Sequence, residues 1–240
     1  MKIKSLFIAS LEKNAGGLVV SIGLMDMLKK KLQKVAFFRP IIQENDPREN
    51  DDITFMMKHY DLKMDYDETF VFTLLEAESL IAQNRQNYLF EKIIEKFETL
   101  EKKYDFILCE GISKSLFTST VDFDINLEIA KNIGSPVAGV LSGKNKSSKE
   151  IWEEVMIESD TIKDEECVHF ATFVNRLDKE SLIDLTNKVR FLKKSDTPIY
   201  LLPEVKELSY PTIKEVNDSI KSACILGNDK DMKRLVRQQR

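Results

Sequence analysis

The stretch KIKSLFIASLEKNAGGLVVSIGLMDMLKKKL, residues 2–32, decides the fold. It begins with an apolar run that is typical of a strand and continues through a segment with two adjacent glycines. It ends in a helical pattern with lysines at its carboxyl end, where the helix dipole favours cations. A strand, a glycine-bearing loop and a helix in this order form an arrangement in which proteins hold a nucleotide phosphate. The stretch therefore predicts an α/β fold and a candidate phosphate-binding loop.

Strand-like apolar runs and amphipathic helical runs alternate along the rest of the chain. The predicted strands cover residues 3–9, 34–40, 105–111, 135–143, 167–175 and 197–204. The predicted helices cover residues 17–33, 50–60, 87–104, 123–134, 147–159, 179–194 and 211–223, and residues 68–83 fit either element. Because the strand-like runs are continuously apolar, both of their faces should be buried, as in a parallel sheet. The alternation predicts a doubly wound α/β fold, with a mainly parallel sheet flanked by helices and right-handed crossovers.

The alternation ends near residue 226, and the segment of residues 227–240 is polar and basic. No further strand or helix follows for this segment to pair with. We therefore expect residues 1–226 to form one α/β domain and residues 227–240 to begin a linker or a further domain.

The bulk composition argues against several classes of function. The chain has 240 residues, 42% of them hydrophobic, which is enough for a sizeable core. Its net charge of −4 argues against a general binder of nucleic acid or of anionic membranes. No stretch approaches the roughly 18 apolar residues of a spanning helix, and the first apolar run is too short for a secretory signal. Cys109, Cys167 and Cys224 lie far apart without a CxxC pair, so we expect no structural zinc and a cytoplasmic location.

The loop lacks the side chains that handle phosphate charge in a working site. Such a loop surrounds the phosphates with backbone N–H groups, reaches them with a lysine and holds magnesium with a Ser or Thr hydroxyl. Here Gly17 stands in the place of the lysine, Leu18 in the place of the hydroxyl, and Ser10 replaces the first glycine. Gly16 and Gly17 still allow the backbone to approach an anion, and Lys13 offers a charge from inside the loop. We expect a loop that holds an anion through its amides at most; the alternative is a tight turn with no ligand.

Several segments, taken in order, resemble one family. They are VVSIGL, VAFFRPIIQ, FILCEGI, FDINLEIAKNIGSPVAGVLSG, FVNRLDKE and LLPEVKELSYPTIKEV. The layout of the first two is similar to the dethiobiotin-synthetase-like fold. The whole set resembles the N-terminal domain of long-form phosphate acetyltransferases over nearly all of residues 1–221. The most specific parts are INLEIAKNIGSPV and the LPE, PT and EV positions near the end.

The resemblance implies a multidomain parent protein. In that protein this domain would precede a middle domain and a C-terminal domain that transfers an acetyl group between coenzyme A and phosphate. The resemblance also implies that this domain serves allosteric control and oligomer stability rather than the chemistry. The partners expected on this basis are the remaining domains, further copies of the chain and a small-molecule effector. A nucleotide is the candidate effector, no other cofactor is expected, and neither nucleic acid nor a membrane is an expected partner.

The resemblance also suggests residues of a nucleotide site. In the related synthetases the loop lysine and threonine, an aspartate after the second strand and the glutamate of a VEG strand end arrange ATP and magnesium. This sequence keeps Glu110 in CEG and offers Asp51 or Asp52 for the aspartate. Arg39 replaces the lysine that precedes Pro40, and ISKS follows the CEG motif in place of a glycine run. The phosphate-transfer side of the site is therefore expected to be damaged.

The base side of the site is better kept. Asn175, in FVNR, and the pair Pro203–Glu204 match positions that would face a nucleotide base. The residues predicted for this degenerate nucleotide site are Lys13, Gly16, Gly17, Asp52, Glu110, Asn175, Pro203 and Glu204. We predict neither a catalytic residue nor a metal ligand among them.

Structural roles remain open for three of these positions. Glu110 is equally well explained as a solvated carboxylate or a partner of a helix cap. The helix of residues 50–60 is expected to have an Asn or Asp cap, and capping is the simplest role for Asp51 and Asp52. Asn175 can close the turn after its strand.

Three classes of function fit the sequence. The first is a non-catalytic regulatory and assembly domain of a phosphate acetyltransferase. The second is an active ATP-dependent ligase of the dethiobiotin-synthetase type, relying on Lys13 for phosphate stabilisation. The loss of two charge-handling groups, often worth roughly 3–4 kcal/mol each, argues against it. The third is a stand-alone interaction module that docks through the sheet edge or through the helix of residues 87–104, whose apolar stripe is as easily explained by packing on its own sheet.

Overall fold

The fold is built on a six-stranded sheet against which helices pack. The structure, a computed structural model, describes residues 3–43, 50–112, 119–192, 197–210, 212–213, 216–217 and 229–236. The strands are β1 (Ser5–Ser10), β2 (Val35–Phe38), β3 (Ile41–Ile42), β4 (Phe72–Thr73), β5 (Phe106–Glu110), β6 (Val137–Ser142), β7 (His169–Leu177) and β8 (Ile199–Pro203). The longer helices are α1 (Gly17–Lys29), α2 (Asp51–His59), α3 (Leu74–Ala82), α4 (Gln86–Lys103), α5 (Ser119–Asn132), α6 (Ser148–Asp164) and α7 (Lys179–Val189). Single turns of helix cover Tyr66–Glu68, Lys206–Ser209 and Asp229–Met232.

The order of strands in the main sheet is β2-β5-β1-β6-β7-β8, and β3 and β4 form a separate pair. Strand β1 pairs in parallel with both β5 and β6, β2 pairs in parallel with β5, and β6 pairs in parallel with β7. The chain therefore builds outward in both directions from β1. The gap at the carboxyl end of β1, between β5 and β6, is the switch point at which open α/β sheets bind ligands. The predicted α/β fold with a parallel sheet is confirmed.

The central strands are buried on both faces. Every residue of β1, β2 and β6 is buried, as are the last four residues of β5. This burial follows from the continuous apolar runs of the sequence, since a strand covered on both faces gains nothing from alternation. Strand β8, with only partial burial along its length, lies at the edge of the sheet.

Local capping sets several helix starts. Helix α2 is capped by Asn50, whose side chain accepts from the backbone N–H of Ile53. The Asn alternative for this cap is therefore confirmed, and the expectation that Asp51 or Asp52 caps the helix is wrong. The ambiguous segment 68–83 divides between the short β4 and α3. The division lies at Thr73, which forms a capping box with Glu76.

The chain divides into two compact units, Met1–Leu202 and Pro203–Arg240. The predicted boundary at residue 226 stays a prediction. Most of the predicted helix of residues 211–223, and the residues after Ile112 in the ISKS segment, lie outside the described residues. In the described ranges no helix is long and apolar enough to cross a membrane.

Candidate functional site

The candidate site lies at the carboxyl edge of the first unit's sheet. Strand β1 leads into the loop of residues 11–16, β2 is followed directly by Arg39, β5 ends at Glu110, and Asn175 lies near the end of β7. Because these strands run parallel, their carboxyl ends meet at one edge. The sheet order thus gathers residues that are more than a hundred positions apart in the sequence.

The loop has a backbone conformation that requires glycine at residue 16. Gly16 has φ +96° and is the N-cap of α1, with no side chain capping the helix. A Cβ atom added there would lie 2.1 Å from Nδ2 of Asn175, closer than any real contact. The amide of Asn175 donates to the backbone oxygen of Ala15 at 3.0 Å, so the end of β7 holds the loop from one side. The structure thus brings two predicted site residues, Gly16 and Asn175, into direct apposition.

The position that a loop lysine would occupy is sterically crowded. A Cβ atom at Gly17 would lie 2.8 Å from Oγ of Ser10 and 3.9 Å from Oε1 of Glu110. Ser10 stands where such loops begin with glycine, so the two departures from the working pattern are connected in space. With Ser10 present, a larger residue at position 17 needs a shift of the serine or of the loop.

The first turn of α1 keeps free backbone donors. The N–H groups of Val19 and Val20 both donate to the oxygen of Gly16, at 3.0 and 3.2 Å. Among the described residues, none accepts a hydrogen bond from the backbone N–H group of Gly17 or Leu18. Free N–H groups at a helix N-terminus, with the positive end of the helix dipole behind them, favour an anion.

A buried ion-pair cluster fills the space beside the loop. The guanidinium of Arg39 donates through Nη2 to Oε1 of Glu110 at 2.5 Å and forms an ion pair through Nη1 with Oδ2 of Asp52 at 2.9 Å. The same Nη1 lies 3.4 Å from Oδ1 of Asn50, and the second oxygen of Glu110 accepts from the hydroxyl of Ser21 at 2.6 Å. Arg39 and Glu110 are 8% and 2% exposed, respectively. Glu110 is therefore not a solvated carboxylate.

The charge of Arg39 is secured by its partners. Burial lowers the pKa of its guanidinium, but the ion pairs with Glu110 and Asp52 outweigh burial, and the net pKa lies above the ordinary value. Its Nε–H is buried and has no acceptor among the described residues. Arg39 is thus a permanent cation, and Nε is the one of its three nitrogens that has no acceptor among the described residues.

Glu12, another charged residue of the loop, has a structural role. Glu12 accepts from the backbone N–H of Ser142 at 3.1 Å and from Nζ of Lys146 at 2.6 Å, and Lys146 also contacts Glu154 at 2.7 Å. Burial lowers the pKa of Lys146, and these two carboxylates raise it by more. This network joins the loop to the segment after β6. Lys13 is exposed, so the structure does not bring it into the buried cluster.

Two predicted base-side residues lie in the second unit. Pro203 is the last residue of β8 and is exposed, and Glu204, which follows it, is half-buried. Their proposed role toward a nucleotide base stays a prediction.

Two supporting residues of the site, Ser21 and Asn126, were not predicted from the sequence. Asn126 is fully buried in α5, and its side chain accepts from the backbone N–H of Ile112 at 2.9 Å and donates to the oxygen of Ile112 at 3.0 Å. It thereby fixes the chain just after Glu110. The only available signal was a polar residue on the apolar side of the pattern DINLEIA.

The side chains at this edge do not fit a magnesium ion. Both oxygens of Glu110 are engaged, by Arg39 and by Ser21, and one oxygen of Asp52 is engaged by Arg39. Leu18 supplies no hydroxyl. In the described ranges, no group of three or more His, Cys, Asp or Glu side chains is placed to hold a metal ion. No step through a metal is therefore derived for this site.

Comparison with known proteins places the chain in a family. The model of the AAA domain family (AAA_26) matches residues 4–211. A protein named phosphate acetyltransferase from Nitratidesulfovibrio vulgaris is 30% identical over 232 residues, which cover 93% of this chain and 32% of that protein. Another of the same name from Synechocystis sp. is 24% identical over 228 residues, which cover 94% of this chain and 33% of that protein. The chain thus spans about a third of the length of these relatives.

A solved structure supports the fold. A plasmid partition protein from Borrelia burgdorferi B31, bound to AMPPNP, superposes with a TM-score of 0.56 at 15% identity, covering 87% of this chain and 90% of that chain. At this identity the likeness shows the fold alone. The resemblance to a domain of longer phosphate acetyltransferases is confirmed by the two relatives, and because the family model covers most of its length, this chain belongs to the AAA domain family.

Proposed function

We propose that this chain is a non-catalytic regulatory and assembly domain of a phosphate acetyltransferase, with a degenerate nucleotide site at its loop. The observation that carries the proposal is the match to relatives of that name over 93% of this chain but only 32% of the relative. The parent enzyme assumed here interconverts acetyl-CoA and phosphate with acetyl phosphate and coenzyme A. That chemistry would belong to other parts of the parent protein.

The site chemistry supports binding without transfer. The loop offers the free N–H groups of Gly17 and Leu18 to an anion but no lysine and no hydroxyl at these two positions. The charge of Glu110 is already matched by Arg39, so the carboxylate is not free to organise a phosphate or a water. A ligand that binds one arrangement of the parent's domains better than another would shift the balance between more and less active states.

The first experiment tests for turnover. ATP is incubated with this chain and with Glu110→Ala, and ADP is measured over hours. We expect the two proteins to release ADP at the same background rate. ADP release by the unchanged chain clearly above that of the variant would contradict the proposal and favour the ATP-dependent ligase.

The second experiment tests regulation in the parent enzyme. Gly16→Ala should weaken any effect of a nucleotide on the rate of acetyl transfer, because a Cβ atom at φ +96° collides with Asn175. Gly23→Ala is the matched control, since Gly23 lies in α1 with open space around the added atom and the change favours the helix by up to about 1 kcal/mol. Calorimetric titration with ATP, NADH, pyruvate and acetyl-CoA identifies the effector. Equal responses of both variants would remove the loop from the regulatory mechanism.

The assembly part of the proposal rests on an apolar groove of about 310 Å³ in the first unit. The groove is lined by Ile3, Leu6, Leu24, Met27, Leu28, Lys31, Leu32, Phe106 and Phe170. Met27 is 61% exposed. We expect light scattering during size-exclusion chromatography to show self-association that rises with concentration and falls in Met27→Glu. A monomer at all concentrations would restrict the proposal to regulation.

A further inference from the structure

The ion-pair cluster beside the loop has the composition of a cation site whose cation is a side chain. Two carboxylates, Glu110 and Asp52, converge on one guanidinium, and Glu110 is almost fully buried. Carboxylates in this position at the carboxyl edge of a sheet are the oxygens that Mg²⁺ prefers in phosphate sites. Here Arg39 already supplies the positive charge that such oxygens need.

We propose that Arg39 replaces the divalent cation of this site, so that a phosphate-bearing anion at the loop is held without magnesium. The inference deepens the proposed function by naming how its site is charged, and the ligand half of it rests on that function. The ligand class is a nucleotide or another oligophosphate. Its negative charge would meet the amide donors of α1 and the guanidinium rather than a metal.

Most carboxylate oxygens of Glu110 and Asp52 are already engaged, which disfavours a metal ion between them. Mg²⁺ demands near-octahedral oxygen ligands at short distances and gives up its water reluctantly. To bridge both carboxylates it would have to displace Arg39 and Ser21 from Glu110, since both oxygens of Glu110 are engaged. The displaced guanidinium would remain buried without a counter-charge, which is strongly unfavourable. Arg39 in its observed position and a metal ion bound to Glu110 are therefore mutually exclusive.

Some N–H groups beside the loop have no acceptor among the described residues. Arg39 uses Nη1 and Nη2 on the two carboxylates, while its buried Nε–H has no acceptor within the described residues. The N–H groups of Gly17 and Leu18 are likewise without acceptors in the part of the chain that the structure describes. Glu110 connects the two groups, because its Oε1 contacts Arg39 and lies 3.9 Å from the Cβ position of residue 17. The loop amides are of the kind that bind phosphate oxygens, and the buried guanidinium adds a positive charge beside them.

The metal half of the inference is tested with Mn²⁺ as a paramagnetic probe. Bound Mn²⁺ is counted by electron paramagnetic resonance for the unchanged chain and for the double variant Asp52→Asn/Glu110→Gln. We expect the two counts to be equal, because both carboxylates are already paired with Arg39. One additional Mn²⁺ on the unchanged chain, lost in the double variant, would overturn the inference.

A gain of metal binding supplies the complementary test. In Arg39→Met the two carboxylates lose their counter-charge, so Mn²⁺ should raise the melting temperature of this variant and leave that of the unchanged chain where it was. Arg39→Gln, which is polar but uncharged, should show the same gain and serves if Arg39→Met fails to fold. If Mn²⁺ stabilises neither variant more than the unchanged chain, Arg39 is not the replacement cation.

The ligand half is tested with ATP and with inorganic pyrophosphate by calorimetry, in excess Mg²⁺ and in EDTA. We expect EDTA to leave the affinity within about threefold or to tighten it, since the uncomplexed anions carry more charge. A loss of more than about tenfold in EDTA would overturn the inference. If neither anion binds under either condition, the nucleotide site of the proposed function and the ligand half fail together, while the Mn²⁺ counts still decide the metal half.

Discussion

Replacing Glu158 by glutamine should remove most of the pH dependence of stability that this domain shows around neutral pH. Glu158 lies in the middle of α6 and is fully buried. Its Oε2 accepts from the hydroxyl of Thr172 at 2.6 Å, and its Oε1 has no donor among the described residues. The carboxyl packs directly over Gly139 of β6, where a Cβ atom would lie 1.4 Å from Oε1. No cation in the described ranges pairs with this side chain.

The direction of the effect follows from the pKa of Glu158. Burial raises this pKa from 4.5 to about 8, and the hydrogen bond from Thr172 lowers it only in part. Between these two values the folded state binds a proton that the unfolded state releases, so stability falls as the pH rises. From about pH 6.5 to about pH 9 the expected loss in the free energy of unfolding is roughly 2 kcal/mol, which corresponds to about 4–8 °C in melting temperature for a chain of this size.

One neighbour sets the lower limit of the pH window. Nε2 of His169 lies 3.0 Å from the Thr172 hydroxyl, and burial lowers the pKa of His169 below its ordinary value of 6.5. Protonation of this histidine therefore destabilises the fold at acid pH and opposes the effect of Glu158 there. The imidazole of the unfolded state is still partly protonated between pH 6.5 and about pH 7.5, and this contribution is common to the unchanged chain and its variants, so it cancels in their differences; above about pH 7.5 it drops out.

The assay is chemical denaturation at several pH values across this window. Glu158→Gln is compared with Glu153→Gln, which removes the same charge from an exposed position of the same helix. The difference in unfolding free energy between Glu158→Gln and the unchanged chain should change by roughly 2 kcal/mol across the window. The difference for Glu153→Gln should stay constant across the window. Burial also raises the pKa of Cys109, but the effect of this thiol on stability is common to all three proteins. Parallel pH profiles for the two variants would refute a neutral, buried Glu158.

Two further changes test the packing around the sheet. Gly139→Ala should destabilise the domain by more than about 2 kcal/mol in urea denaturation, because the new methyl group meets the Glu158 carboxyl, and the same change in a Glu158→Ala background should cost less than about 1 kcal/mol. Asn126→Ala should cost about 2–3 kcal/mol in the same assay, because it leaves the backbone N–H and oxygen of Ile112 buried without partners. A cost below about 0.5 kcal/mol for Asn126→Ala would show that water replaces the amide.

The sheet was predictable because its signal is local and redundant. Continuous apolar runs predicted the central strands β1, β2, β5 and β6, and period-3.6 spacing predicted α4 to within a residue at each end. Residues 68–83 stayed ambiguous because a two-residue strand lies directly against a helix, so neither period dominates the segment. The Thr73–Glu76 capping box was visible in the sequence and would have located the boundary.

Several residues of the site were predictable from the sequence, but the pairing of their side chains was not. The loop glycines and the carboxylate of Glu110 follow from motif positions, and the structure gathers them at one edge of the sheet. The pairing of Arg39 with Glu110 spans 71 positions and depends on β2 and β5 being neighbours, which no local pattern specifies. The burial of Glu158 was only weakly indicated by the sequence, in which it continues the apolar stripe of Ile151, Val155 and Ile162 on α6.

The presence of Glu110 does not require catalysis, and the cluster around it gives the reason. A glutamate at this strand end is, by family resemblance, the mark of a working site, yet here it is the buried counter-charge of Arg39. Removing either partner would leave the other buried and unpaired, which typically costs about 3–5 kcal/mol, so folding alone maintains the pair. Ser10 at the same time crowds the position of a lysine at residue 17. Ser10 and Gly17 in the loop are therefore compatible with each other and with the pairing of Arg39 and Glu110. A lysine introduced at residue 17 alone would lack both the space and the free carboxylate that phosphate transfer requires.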